Sequence, residues 1–139
     1  MATRRRALVA SQPAAWAVLL AMLEEVIDLV PVHTTADAFR ALELQKPPID
    51  LIISTIAFDD SRMFEFLQAV KRDPKLNGIP FLCTRVLPGV LSDQLVDGMR
   101  SVCKQCEAVD LLDVAMLPPD KARSVFGEAI AAVTMSGGS

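Results

Sequence analysis

Short hydrophobic runs alternate along the chain with longer stretches in which hydrophobic positions recur every three or four residues. The short runs predict β-strands, and the helical spacing predicts amphipathic helices. The clearest run, 48–56, follows a Pro-Pro turn and is apolar enough to predict a strand buried on both faces. The remaining predicted strands are 7–10, 29–33, 79–84 and 108–112.

A helix is predicted after each of these strands. Pro13 suits a first helical turn, Thr34 or Thr35 can cap the second helix, and Pro119 lies at the start of the last. The predicted inward stripes are Trp16, Leu19, Leu20, Leu23 and Ile27; Phe39 and Leu42; Phe64, Leu67 and Val70; Leu91, Leu95, Met99, Val102 and Cys106; and Ala122, Val125, Phe126, Ala129, Ile130 and Val133.

Strands that alternate with helices five times predict an α/β fold, a three-layer sandwich with helices on both faces of a parallel sheet. The strand order 2-1-3-4-5 is the common five-stranded solution. It places the second strand at an edge, where Pro31, which cannot donate a ladder hydrogen bond, is tolerated. We expect one domain over residues 1–135 and a flexible tail at 136–139.

Composition excludes several classes of protein. The net charge of -3 argues against nucleic acid as an obligatory partner, and the 52% hydrophobic content argues against broad disorder. No apolar run approaches the roughly 20 residues that span a bilayer. The arginines at 4–6 resemble the start of a signal peptide, but Ser11-Gln12-Pro13 breaks the apolar run and no cleavage site follows.

The chain has three cysteines, an odd number, which favours free thiols in a reducing cytosol. We therefore expect a cytoplasmic protein. Cys103 and Cys106 have the spacing of a redox or zinc motif, but they fall at the end of a predicted helix, where the helix dipole disfavours a thiolate. Zinc would need more ligands than the chain offers nearby, so the pair is predicted to pack in the core.

Two segments carry a family resemblance: 50–56 reads Asp-Leu-Ile-Ile-Ser-Thr-Ile, and 63–67 reads Met-Phe-Glu-Phe-Leu. With 71–74 and 79–80 in family-like spacing, the sequence resembles the response-regulator receiver domains of bacterial two-component signalling. The resemblance covers about residues 6–133. It implies the CheY-like, flavodoxin-like version of the fold and a role in phosphorelay signal transduction.

The resemblance also implies where the family's site residues should stand, and the chain departs from the family at these positions. Phosphoryl transfer in the family uses an acceptor Asp, a metal-binding acidic pair, a switch hydroxyl and a lysine. The corresponding residues are Thr55 for the acceptor, Ala10 and Ser11 for the acidic pair, Thr84 or Arg85 near the switch position, and Val114 for the lysine.

These departures predict a loss of the phosphorylation chemistry. Mg²⁺ prefers carboxylate ligands, whereas Ser11, Ser54 and Thr55 offer only neutral oxygens. A threonine hydroxyl is a poor nucleophile without a base, and the sole histidine, His33, is predicted on the edge strand, away from this site. We expect a stand-alone pseudo-receiver that is not an enzyme and needs neither metal nor cofactor.

Such a module would act by binding another signalling protein (a kinase, regulator or output protein) or a second copy of itself. The resemblance implies a partner face on the fourth helix, fifth strand and fifth helix, here 94–106 and 120–133. Its candidate residues are Leu95, Met99, Val102 and Phe126.

Two other hypotheses remain open. Asp59 or Asp60, in the loop after Thr55, could accept phosphate in an unconventional receiver, although a solvated loop and a cap for the following helix are the simpler roles. A small-molecule regulatory domain could use a cleft near Ser54 and Thr84, together with Ser11 and Thr55. Arg85 is predicted either to reach over the site as a fixed cation or to be an exposed loop arginine.

Overall fold

A computed structural model describes residues 5–44, 48–88 and 93–137. The arginine at 4, the predicted end of the second helix at 45–47, Leu91, and the tail residues 138–139 lie outside this part of the chain. The elements are β1 (Arg6–Ala10), α1 (Pro13–Leu23), β2 (Asp28–Val32), α2 (Thr35–Leu44), β3 (Leu51–Thr55), the single turn α3 (Phe58–Ser61), α4 (Met63–Arg72), β4 (Phe81–Arg85), α5 (Asp93–Gln105), β5 (Asp110–Asp113) and α6 (Pro119–Gly137).

The five strands form one parallel sheet in the order β2-β1-β3-β4-β5, which confirms the predicted fold class and topology. All residues of β3 are buried, as expected for a central strand covered on both faces. Pro31 is exposed on the edge strand β2, where its missing N–H costs no ladder hydrogen bond.

Two hydrophobic clusters, one on each face of the sheet, hold the layers together. Side chains of α2, α4 and α5 fill one cluster, and those of α1 and α6 fill the other. In the first cluster the ring of Phe66 meets those of Phe39, Phe58 and Phe81 at centroid distances of 5.4, 5.3 and 5.4 Å. This aromatic group anchors α4 to the sheet beside the loop that follows β3.

Local signals explain most of the helix boundaries. Pro13 is the first residue of α1, and the Thr34 Oγ1 accepts a hydrogen bond of 3.1 Å from the Asp37 N–H at the start of α2. At the end of α5, Glu107 has a φ of 70°, and the Ala108 N–H donates to the Cys103 carbonyl at 2.9 Å. This left-handed residue closes the helix in the manner of a Schellman motif.

Several expectations about faces and ends need correction. The buried side chains of α5 are Val96 and Cys103, whereas Leu95 and Val102 are exposed, because the helix carries two apolar stripes and the sheet covers only one. Phe126, assigned to a partner face, is 0% exposed and belongs to the core. The helix α6 continues to Gly137, so the first two residues of the predicted tail are helical.

In the described ranges, no helix is both long enough and apolar enough to cross a membrane.

Candidate functional site

The carboxyl ends of the strands bring the sequence-predicted positions together. Ala10 pairs with Ser54 across β1 and β3, and Thr55 pairs with Thr84 across β3 and β4. In open α/β sheets this edge is where ligands bind. These four residues are almost completely buried, as are Ser11 and Val114 at the ends of β1 and β5. The predicted positions are therefore brought together at one edge of the sheet, and their side chains are packed within the protein.

Thr55, at the acceptor position, is held by a residue that the sequence analysis did not single out. Its Oγ1 donates a 2.8 Å hydrogen bond to the Oε1 of Gln12, in the loop between β1 and α1. The Thr55 residue is 2% exposed, and the Ser54 Oγ donates to its carbonyl at 3.3 Å. A buried hydroxyl that is already donating its proton to an amide is poorly placed to act as a nucleophile.

The end of β1 carries neutral groups only. Ser11 is fully buried, and its Oγ has no hydrogen-bond partner among the described residues. The Ser11 carbonyl accepts a hydrogen bond of 2.6 Å from the Nδ1–H of His33, which directly follows β2. The edge strand thus brings His33 to this end of the sheet, closer to the site than predicted. Its Nδ1 is hydrogen-bonded to the backbone.

At the ends of β4 and β5 a charged pair replaces the neutral or cationic groups expected there. The Arg85 Nε and Nη2 donate to the Asp113 Oδ1 and Oδ2, each at 2.9 Å, and the two residues are register partners. Arg85 is only 8% exposed. Bidentate pairs of this kind fix both side chains, so Arg85 is neither an exposed loop residue nor a cation directed over Thr55.

The residues beside this pair also form hydrogen bonds between β4 and the end of β5. The Thr84 Oγ1 donates to the Leu112 carbonyl at 2.7 Å, and the Val114 N–H donates to the Arg85 carbonyl at 2.9 Å. The Thr84 hydroxyl, at the predicted switch position, therefore stabilises the pairing of β4 with β5. The residue that places a charge at the end of β5 is Asp113, immediately before the expected lysine position.

Asp59 has a structural role that differs from the predicted one. Its Oδ2 accepts hydrogen bonds from the backbone N–H and the Oγ1–H of Thr35, at 2.9 and 3.0 Å. These bonds lower the pKa of Asp59 below its ordinary value, and the charge of Arg62 adds to them against some burial. Asp59 thus caps the preceding helix α2. The prediction that it caps the following helix was wrong, because α4 starts at Met63 and its N-cap residue, Arg62, makes no side-chain capping hydrogen bond.

The turn α3 is strained. Asp59, Asp60 and Ser61 have φ values of 48°, 57° and 64°, which residues with a Cβ rarely adopt in succession. Phe58 on one side and Met63 on the other are fully buried. Together with the Asp59–Thr35 hydrogen bonds, these anchors hold the backbone in the left-handed region.

A cavity of about 400 Å³ opens beside the turn, between the ends of β3 and β4 and the helices α4 and α5. Ligand pockets commonly have this size. The Asp59–Thr35 bonds hold the Asp59 side chain on the α2 side, whereas Ser61 of the same turn lines the cavity. The cavity is lined by Gln12, Thr55, Ile56, Ala57, Ser61, Phe64, Thr84, Arg85, Val86, Leu87, Pro88 and Met99.

Comparisons of sequence find no match: no family model and no curated protein matches the chain. Comparisons of structure find receiver domains. The signal receiver domain of a histidine kinase from Syntrophus aciditrophicus superposes with a TM-score of 0.67 at 23% identity, covering 94% of this chain and 92% of that one.

Two further neighbours are response regulators. The phosphorylated cyanobacterial phytochrome response regulator RcpA has a TM-score of 0.69 at 12% identity and 91% coverage of both chains. The chemotaxis response regulator CheY4 of Vibrio cholerae has a TM-score of 0.65 at 15% identity, covering 91% of this chain and 99% of that one. At such identities the likeness establishes the shared fold.

The residues at this site do not fit the Mg²⁺ that the family resemblance implies. Hard divalent cations bind oxygen ligands that include carboxylates, whereas Ser11, Gln12 and Thr55 supply neutral oxygens. The carboxylate at the end of β5, Asp113, is paired with Arg85. Within the described ranges, no group of three or more His, Cys, Asp or Glu side chains is arranged to hold a metal ion.

Proposed function

We propose that this chain is a degenerate receiver domain, a non-catalytic protein-interaction module of bacterial two-component signal transduction that lacks the phospho-acceptor Asp. The fold it shares with receiver domains supports the class. The observation that carries the proposal is the acceptor position itself, where Thr55 is buried and bonded to Gln12 and no carboxylate stands at the end of β1.

The chemistry of the site supports a non-catalytic role. Transfer of a phosphoryl group needs an exposed nucleophile in line with the leaving group and cations that neutralise the developing charge. The Thr55 hydroxyl already donates its proton to Gln12, and the guanidinium of Arg85 is already paired with Asp113. The two groups that could have contributed to the reaction are therefore engaged in structural contacts.

The Arg85–Asp113 pair also supports a fixed conformational state. It joins the ends of β4 and β5 by two hydrogen bonds in a nearly buried position. Any rearrangement of this part of the sheet edge would separate a largely desolvated ion pair, and this cost opposes switching. The amount of a binding partner, rather than phosphate, would then set the output.

The partner face that we propose is narrower than the sequence predicted. Leu95 and Val102 on α5 are 49% and 41% exposed, whereas Met99 between them is half-buried and lines the cavity. Met116 and Leu117, after β5, add exposed apolar surface. Exposed apolar side chains on α5 and after β5 fit a protein partner or a second copy of the chain.

Phosphorylation is tested by incubating the protein with acetyl phosphate and Mg²⁺ and measuring its intact mass, with a competent receiver in parallel. The proposal predicts no change in the mass of this chain while the competent receiver gains one phosphoryl group. A stable adduct would overturn it. Mapping of that adduct to Asp59 or Asp60 would favour the unconventional receiver instead.

The partner face is tested with Val102→Glu, and Val26→Glu is a matched control because Val26 is similarly exposed, after α1. Proteins that the wild type captures from a lysate of the native host should be lost with the first variant and retained with the second. Equal capture by both variants would exclude this surface of α5.

A second function, a small-molecule regulatory domain, is supported by the cavity. Its walls are mainly apolar, and Gln12 and Thr55 provide hydrogen-bonding groups at one end. A metabolite screen by thermal shift tests it, since a ligand of the native state must raise the midpoint of unfolding. Met99→Trp should abolish the shift, and Leu95→Trp, on the exposed side of the same helix, should preserve it.

A further inference from the structure

All three cysteines of the chain meet at one place, between β4 and the end of α5. Cys83 on β4 and Cys103 on α5 are fully buried in the same cluster, and their thiols perturb each other's pKa. Cys106, just after α5, packs against that cluster and is partly exposed. The group thus has one thiol that solvent can reach and two behind it.

Cys103 and Cys106 are three residues apart at the end of a helix, a spacing that places side chains on the same face with Cβ atoms about 5–6 Å apart. A disulfide needs a somewhat closer approach, with Cβ atoms at about 3.5–4.5 Å. Because α5 ends at Gln105, Cys106 lies where the chain leaves the helix. Its N–H still donates to the Val102 carbonyl at 3.0 Å, so closing the disulfide requires the last turn to loosen.

We propose that this cluster is a site of reversible oxidation, in which a hydroperoxide oxidises Cys106 and Cys103 then forms an intrachain disulfide with it, leaving Cys83 reduced. The inference does not depend on the proposed function, because it uses none of the residues of the degenerate site.

The reaction balances with hydrogen peroxide as the oxidant. The Cys106 sulfur attacks one peroxide oxygen, the O–O bond breaks, and the products are a sulfenic acid and water. The Cys103 sulfur then attacks the Cys106 sulfur, the S–S bond forms, and the leaving hydroxide departs as water with the proton of the Cys103 thiol. Two thiols and one peroxide give one disulfide and two waters.

The surroundings favour Cys103 over Cys83 as the second nucleophile. The interaction with the Cys103 thiol raises the pKa of Cys83, as burial also does. The same interaction lowers the pKa of Cys103, helped by the charge of Arg100 and opposed by burial and Asp110. Cys103 also lies one helical turn before Cys106 on the same face of α5, whereas Cys83 is on β4, so Cys103 should resolve the sulfenic acid.

The helix dipole limits the rate. The carboxyl-terminal end of α5 disfavours negative charge, in contrast to redox motifs that open a helix. We therefore expect the disulfide to form with excess peroxide and not on brief exposure to air.

The experiment treats the folded, reduced chain with excess hydrogen peroxide, removes the peroxide, and alkylates the thiols in denaturant. We expect the number of alkylated cysteines to fall from three to one. Because peroxide also converts methionine to its sulfoxide and the chain has six methionines, the disulfide is measured by the alkylation count and the linked peptides and not by the intact mass. Trypsin cleaves after Lys104, so the disulfide should join peptides 101–104 and 105–121, and Cys83 should be the alkylated residue. Dithiothreitol should reverse the change.

Variants separate the roles of the three thiols. Cys106→Ser should abolish the linked peptides, and Cys103→Ser should leave Cys106 to gain oxygen without forming a disulfide. Cys83→Ala, the matched control, should still form the linked peptides, with circular dichroism reporting whether each variant is folded. The proposal would be overturned by three alkylatable thiols after peroxide treatment of the wild type, by oxygen addition at Cys106 in place of the linked peptides, or by a linkage to peptide 76–85.

Discussion

At the scale of single residues, the site is defined by side chains that satisfy one another. Arg85 and Asp113 are separated by 28 residues in the chain yet form a bidentate pair with both N···O distances at 2.9 Å. Thr55 and Gln12 likewise hydrogen-bond across 43 residues. Each contact engages a polar group in the fold, so the proposed loss of phosphoryl transfer would have the same cause as the stability of this edge.

Removing one partner of the buried pair should be costly. We expect Asp113→Leu to lower the free energy of unfolding by roughly 3 kcal/mol, because the Arg85 charge stays desolvated without its carboxylate. Urea denaturation measures this loss. The double variant Arg85→Met with Asp113→Leu should recover most of it, and a double variant no more stable than the single one would contradict this account.

The Asp59 carboxylate should contribute to the acid sensitivity of folding. Hydrogen bonds from Thr35 hold its folded pKa below the ordinary value of 3.8, so its stabilising effect is present above that value and is lost as the pH falls through the folded pKa. Asp59→Asn should flatten the fall of the unfolding midpoint in this acidic range, and Thr35→Val, which keeps the backbone donor, should flatten it less. Unchanged profiles in both variants would contradict the prediction.

At the scale of elements, the turn α3 shows strain that the surrounding packing maintains. Asp60 is exposed and has a φ of 57° and a ψ of 44°, a conformation that costs a residue with a Cβ about 1 kcal/mol or more. Glycine adopts it freely.

Asp60→Gly should therefore stabilise the protein by about 0.5–1 kcal/mol, since the relief of strain exceeds the extra chain entropy of glycine. Gln68→Gly, at an exposed position inside the right-handed helix α4, is the control and should destabilise by about 1 kcal/mol. Thermal or urea unfolding of the two variants measures the difference. Destabilisation by both substitutions would argue against a left-handed conformation at Asp60.

The helix α5 shows why periodicity alone did not identify the buried face. Its apolar residues fall into two neighbouring stripes, one with Val96 and Cys103 and one with Leu95 and Val102. Both satisfy helical spacing. Only the position of the helix over β4 and β5 decides which stripe is buried, so the exposed stripe is a property of the assembled molecule.

At the scale of the whole molecule, the thermal stability of the protein should not depend on divalent cations binding at the carboxyl ends of the strands. A ligand that binds the native state raises the free energy of unfolding by RT ln(1 + [L]/Kd). Ser11 and Thr55 offer Mg²⁺ only neutral oxygens and no carboxylate, so we expect no such stabilisation. The unfolding midpoint should be the same with millimolar Mg²⁺ and with a chelator. A midpoint that rises with Mg²⁺ and saturates would show that a cation site exists despite the substitutions.

The sequence was sufficient for the fold because its signals are local and repeated. Alternating strand and helix patterns predict a parallel α/β sheet, and Pro31 alone indicates which strand lies at the edge. The candidate positions Ala10, Thr55 and Thr84 came from a family resemblance, and the register places them together at one edge of the sheet.

What the sequence determined by itself was the order of elements, the topology and the identity of the residues at the ends of the strands. Only the tertiary structure decided what those residues contact: Gln12 with Thr55, Asp113 with Arg85, Asp59 with Thr35, and the three cysteines with one another. The physical reason is the range of each signal. Hydrophobic periodicity is set within a few neighbouring positions, whereas hydrogen bonds and ion pairs depend on strand register and loop conformation, which bring together residues far apart in the chain.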